Sequence, residues 1–158
     1  MTADMSDTTQ GRDRVDVMAA APAAYHAMVA FQQAAGGELD ARLAELVRVR
    51  VSQINGCAFC VDLHTRAARE AGESEQRLHL LAAWRETALF RPAERAALAL
   101  AETVTRLPAA GVPDAVYAEA AAWFDESDLA HLLWTIAAVN VWNRVAVSTR
   151  MGLLTQPV

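Results

Sequence analysis

Apolar residues recur at helical spacing along most of the chain, and the breaks between runs carry caps and helix breakers. Residues 15–35 read as helical, interrupted near Pro22, which suits the first turn of a helix better than its interior, and Gly36-Gly37 ends the run. Over residues 40–54 the apolar stripe is Leu43, Leu46, Val47, Val51 and Ile54. The stretch VRVRVSQI inside it also alternates as a strand would. The helical stripe continues upstream, however, and CVDLHTRAARE after Asn55-Gly56 is helical, so the turn has no second strand to serve. That next helix reaches Ala71, with Gly72 placed as a left-handed cap.

Ser74 caps a short helix through Trp84, and Pro92 at a first helical position opens another over residues 93–106, closed before Pro108. Pro113 and Asp114 start a helix to Trp123. Asp125 caps the last and longest, about residues 126–151, with Asp128 in its first turn. Its apolar residues, among them Leu129, Leu132, Trp134, Ile136, Val141 and Val145, occupy more than one face, which places it in the central core, in a subunit interface, or in both. The pattern predicts an all-α bundle of about six to seven helices. Residues 14–158 form one domain without repeats, behind a polar, aperiodic leader over residues 1–13 read as disordered.

With 54% hydrophobic residues and 6% aromatic, much of the apolar content being alanine, the composition favours close-packed helices over a sheet. A net charge of −5 offers no basic surface for nucleic acid or anionic lipid. The start of the chain lacks the apolar core of a secretion signal, and no apolar run reaches the ~20 residues of a membrane span. The expected setting is a reducing cytoplasm, where a CxxC pair is more often redox-active or metal-binding than structural.

The candidate chemistry lies between Glu45 and His64. Asn55-Gly56 can end one helix and let the next begin at Cys57 and Cys60, the chain's two cysteines. On a helix Cys57, Cys60 and His64 fall within about 60° of one another, and thiols three residues apart are close enough to bridge. A thiol in the first helical turn is pushed toward thiolate by the helix dipole and free N–H groups. His64 stands one turn beyond Cys60. If the two helices fold back about the turn, Glu45 comes level with roughly His64 to Arg66 and can hold the imidazole in one tautomer. The bland reading makes Glu45 a surface partner of Arg48 and the cysteines inert buried thiols. A zinc site built from Cys57, Cys60, His64 and Glu45 is a rival, but the second short ligand motif of structural zinc is absent. His26, His79 and His131 are assigned to surfaces or satisfied pockets, the four tryptophans to core or interface. Asn140, Asn143 and Arg144 are assigned to a buried hydrogen-bond network fixing subunit register.

Glu45, SQINGC at residues 52–57 and CxxCxxxH ending at His64 together resemble the alkylhydroperoxidase AhpD branch of the carboxymuconolactone decarboxylase family. Softer agreement comes from Trp84-Arg85-Glu86 with Phe90, from ERAALALAE at 94–102, and from Asn140-Val-Trp-Asn-Arg144, so the resemblance covers about residues 20–152. It implies an AhpD-like all-α fold, a dimer, trimer or hexamer, and reduction of hydroperoxides or a partner disulfide without a bound cofactor or metal. An external reductant, such as a lipoyl-bearing protein or other dithiol donor, would return the pair to dithiol. It also implies that Cys60 attacks and Cys57 resolves, with His64 and Glu45 as proton relay. The dipole alone favours Cys57 as attacker, and contact with His64 favours Cys60. The sequence departs from the trimeric peroxidase type at Phe59, where those members tend to carry a relay histidine. Decarboxylase members of the wider family lack the cysteine pair, which counts against that chemistry here.

Overall fold

A computed structural model describes residues 14–153; the leader assigned to residues 1–13 lies outside the described residues. Eight α-helices and one 3-10 segment follow in order: α1 (Val17–Ala20), α2 (Pro22–Gly36), α3 (Ala41–Asn55), α4 (Ala58–Glu70), α5 (Glu75–Leu80), the 3-10 segment (Leu81–Glu86), α6 (Pro92–Arg106), α7 (Asp114–Trp123) and α8 (Glu126–Thr149). Among the described residues there is no strand. VRVRVSQI is helical, and Ser74, Pro92 and Asp125 stand at the starts expected of them.

The interruption expected near Pro22 divides the first helical run into α1 and α2. Asp16 accepts from the N–H groups of Met18 and Ala19 and so starts a single turn, α1. Ala21 then leaves helical geometry (φ −140°, ψ 61°), because the ring of Pro22 disfavours the α conformation in the residue before it. The short helix expected through Trp84 tightens to 3-10 after Leu80, with a kink at Ala83, and points Leu81 and Trp84 into the core.

Helix α3 is central, with apolar stripes on two sides. Leu43, Val47 and Val51 join α6, α7 and α8 in one core with Leu100, Leu132 and Ile136. Leu46 and Val49 face a second core with Ala68, Leu78, Trp84, Phe90 and Leu98. Val49 was outside the stripe read from the sequence, and it is what gives α3 its second buried side. Helix α8 packs on α2, α3, α4, α6 and α7, the central position expected of so apolar a helix.

Two buried carboxylates lock the α5–α6 side of this frame. Glu102 accepts from Arg50 Nε at 2.7 Å, Trp84 Nε1 at 2.9 Å and Arg85 Nη1 at 2.5 Å. Arg85 and Arg95 lie over the Trp84 ring at 4.1 and 5.0 Å. Glu94 takes two bonds from Arg77 and closes the first turn of α6 by accepting the Arg91 N–H at 2.7 Å. Burial pushes the Glu102 carboxyl up, but the bonds from Arg85, Trp84 and Arg50 outweigh it and bring the pKa down to about 2.

A carboxyl that titrates lower in the folded than in the unfolded chain contributes stability above its unfolded value, and that contribution is lost as pH falls toward its folded value. Denaturant unfolding is therefore expected to show stability dropping between pH 4.5, the ordinary value, and about 2. Glu102→Gln should cost about 3 kcal/mol at neutral pH, because it removes the carboxylate that pairs the largely buried Arg50, and should flatten that acid limb.

Candidate active site at the Asn-Gly turn

Gly56 sits in left-handed geometry (φ 66°, ψ 30°) and closes α3, its N–H donating to Gln53 while the Cys57 N–H donates to Ser52. The chain reverses there, so α4 runs back along α3. Asn55, the last residue of α3, anchors the reversal. Its Nδ2 donates to the Oδ1 atoms of Asn140 and Asn143 on α8, at 2.9 Å each. Asn143 Nδ2 in turn donates to Ser52 Oγ at 3.0 Å, and Asn140 Nδ2 to Thr105 Oγ1 at 3.1 Å. The polar groups of α8 thus hold one chain's own turn, a use that sequence reasoning had assigned to subunit register.

Cys57 is the N-cap of α4, and its sulfur takes the place usually filled by a serine or aspartate oxygen, accepting the Cys60 N–H at 3.2 Å. Cys57 and Cys60, with Cα atoms 5.3 Å apart, are joined by a disulfide, and both are buried. When the pair is reduced, the same N–H and the α4 dipole favour a thiolate at Cys57.

His64, one turn beyond Cys60 and also buried, places Nδ1 2.9 Å from Glu45 Oε2. Arg48 Nη1 donates to the other oxygen of Glu45 at 2.5 Å. Burial raises the Glu45 pKa, but the hydrogen bond and charge of His64, with Arg48 behind them, more than compensate, leaving it below the ordinary carboxylate value. An ionised carboxylate on Nδ1 fixes that nitrogen as the donor, which leaves Nε2 for chemistry. Glu45 pairs with Arg48 through one oxygen and with His64 through the other, but the pair is largely buried and is not the surface ion pair of the bland reading. Among the described residues no three or more of His, Cys, Asp and Glu are grouped as a metal ion would require.

Two hollows flank α4. One, about 560 Å³ and largely apolar, is walled by Cys60, His64, Phe59, Leu63, Tyr25 and Trp142. The other, about 540 Å³ and more open, is lined by Cys57, Ala58, Val61, Asp62, Thr65 and Arg69. Tyr25 and Trp142 meet edge to face at 5.8 Å, and the Trp142 Nε1–H is buried without an acceptor. The contribution of α2 to this wall was not read from the sequence, since Tyr25, Val29 and Gln32 follow helical spacing without any motif. Of the remaining singled-out residues, Trp84 is core, Trp123 and Trp134 are exposed, and His131 donates its Nδ1–H to the Ala35 carbonyl at 3.1 Å.

The turn makes a direct prediction. A Cβ on Gly56 would meet nothing within 4 Å, so Gly56→Ala should cost about 1 kcal/mol in denaturant unfolding from backbone strain alone. Gly56→Asn should recover part of that, asparagine being more tolerant of this geometry.

The chain resembles known proteins in sequence and in fold. The model of the carboxymuconolactone decarboxylase family matches residues 22–103. The uncharacterized protein YdfG of Bacillus subtilis is 45% identical over 104 residues, which span 66% of this chain and 71% of that one. The uncharacterized protein YnjA of Escherichia coli is 36% identical over 103 residues, 65% of this chain and 56% of its own. A crystal structure from Agrobacterium tumefaciens, of a protein of unknown function described as a candidate antioxidant defence protein AhpD, superposes with a TM-score of 0.86 at 35% identity, covering 90% of this chain and 99% of that one. The chain belongs to the carboxymuconolactone decarboxylase family, in its AhpD-like branch.

Proposed function

We propose that the chain is a thiol-dependent oxidoreductase that reduces hydroperoxides, or a partner's disulfide, by cycling Cys57 and Cys60 between dithiol and disulfide. The observation that carries this reading is the bridged pair at the start of α4, with Cys60 sharing a cavity wall with a histidine whose far nitrogen is held by Glu45. The description of the Agrobacterium tumefaciens protein as a candidate antioxidant defence protein AhpD points the same way.

In the oxidative half, the Cys60 thiolate attacks the terminal oxygen of ROOH, the O–O bond breaks, and ROH leaves after taking a proton that His64 Nε2 can supply. Cys60 is then a sulfenic acid. Cys57 attacks its sulfur, water leaves, and the disulfide forms. Glu45 stabilises the protonated imidazole through that exchange. Phe59 packs beside the cysteines where a relay histidine would stand, so His64 and Glu45 carry the whole proton relay here. A dithiol donor outside the chain, a lipoyl-bearing protein among the carriers the resemblance implies, closes the cycle.

Assembly of identical copies belongs to the same proposal. Helix α2 buries Ala35 alone, and Trp134 and Val141, two turns apart on one side of α8, are exposed, which supports an apolar face covered by a further copy.

Thiol titration before and after one equivalent of an organic hydroperoxide tests the reading. Two thiols should disappear together and return with dithiothreitol. Cys57→Ser should stall as a sulfenic acid at Cys60, while Cys60→Ser should not react; the opposite pattern reverses the roles. His64→Ala should slow peroxide consumption by about 100-fold. Glu45→Gln should slow it less, because an amide can still orient the ring. Loss of no thiols in the parent protein would end the peroxidase reading, and loss of none with a thiol oxidant such as diamide would end the dithiol cycle itself.

A further inference from the structure

Positions along α4 divide into two stripes. Ala58, Val61, Asp62, Thr65 and Arg69 project on one side, and Phe59, Cys60, Leu63 and His64 lie about half a turn away. Each stripe lines a different hollow: Cys60 belongs to the apolar cavity with His64, and Cys57 to the polar hollow with Asp62, Thr65 and Arg69. The bridge between the two sulfurs therefore crosses the first turn of α4 from one hollow to the other.

Resting on the dithiol reading above, we propose that the two halves of the cycle enter from opposite faces of α4, and that the hollow beside Cys57 is the docking site for the reducing thiol. Displacement at a disulfide sulfur is in line, with the incoming thiolate opposite the departing one. A thiolate in the polar hollow meets Cys57 and expels Cys60 toward the apolar cavity, where His64 is at hand to protonate it. The step is RS⁻ attacking Cys57 Sγ: an RS–SCys57 bond forms, the Cys57–Cys60 bond breaks, and Cys60 takes the electron pair and a proton. A second thiol attacks the R sulfur, releasing RSSR and the Cys57 thiolate, which the Cys60 N–H stabilises. Two electrons and one proton pass to the protein in all, Cys60 ending as thiol and Cys57 as thiolate.

Solvation sets the direction of approach. A thiolate is hydrated, and the more enclosed, largely apolar cavity walled by Phe59, Leu63 and Trp142 would strip most of that water from an incoming one. The second hollow is the more open, so a thiolate keeps water there, and it offers the Thr65 hydroxyl with the Arg69 guanidinium, partnered by Glu75, at its rim, while Asp62 is held by Arg66. An organic hydroperoxide has the opposite need: it is uncharged, and its apolar body gains from the cavity on the Cys60 side. Each chamber favours the reactant the other rejects.

The test is stopped-flow measurement of the two halves separately on the full chain. Ala58 is exposed at the rim of the polar hollow, so Ala58→Trp blocks it with little risk to folding, and Val61→Phe narrows it independently. Leu63→Trp does the same to the apolar cavity. Expected are a reduction slowed by about tenfold in both Ala58→Trp and Val61→Phe with oxidation by cumene hydroperoxide unchanged, and the reverse in Leu63→Trp. Reduced glutathione and reduced thioredoxin, used as alternative reductants, separate a free thiol from one carried on a protein: slowing of either supports the docking site and names its carrier. Reduction unaffected in both hollow variants, or slowed only by Leu63→Trp, would overturn the proposal. Protein oxidised with diamide serves for the reductive half, so a failure of hydroperoxide to oxidise the parent would refute the peroxidase reading while leaving this test in force.

Discussion

The chain reverses at Gly56 through left-handed backbone, and every group of the candidate site takes its position from that reversal. The equal rise of α3 and α4 away from the turn brings Glu45 to His64, nineteen residues later, at 2.9 Å. The same reversal makes Cys57 an N-cap, so its sulfur meets the Cys60 N–H and the positive end of α4. A residue with a Cβ at position 56 would strain the backbone at the point from which both relations are measured.

A turn by itself is held weakly, and this one is fastened at depth. Asn55, Asn140, Asn143 and Ser52 satisfy one another between α3 and α8, where unpaired amides would each cost about 1–3 kcal/mol. Helix α3 is clamped further by its two apolar sides, which place it between the core of α6, α7 and α8 and the core under α5. Glu102 joins these cores by tying Arg50 of α3 to Trp84 and Arg85. The site thus stands on helices instead of loops, and the Glu45–His64 contact is already made in the folded chain.

Much of this was legible in the residues. Helix starts at Ser74, Pro92 and Asp125 follow from local capping, and the Asn-Gly turn with CxxC and His64 follows from spacing. What escaped was set by tertiary context. Pro22 reads as a first-turn residue and stands as one, but the single turn upstream that Asp16 caps does not show in the pattern. Val49 reads as an off-stripe position until α4 and α6 supply a second core for it. Glu102 is one glutamate among many in an alanine-rich helix, and its burial follows from three partners that lie as far as 52 residues away. Tyr25 and Trp142 meet only because α2 lies along α8.

The account turns on Cys57 and Cys60 being an exchange site and not a staple, and their equilibrium with a graded glutathione buffer tests this most directly. A single reversible two-electron transition, in the range of about −270 to −180 mV occupied by dithiol oxidoreductases, is the result predicted. A bond that resists reduction to below about −300 mV, as structural crosslinks do, would contradict it.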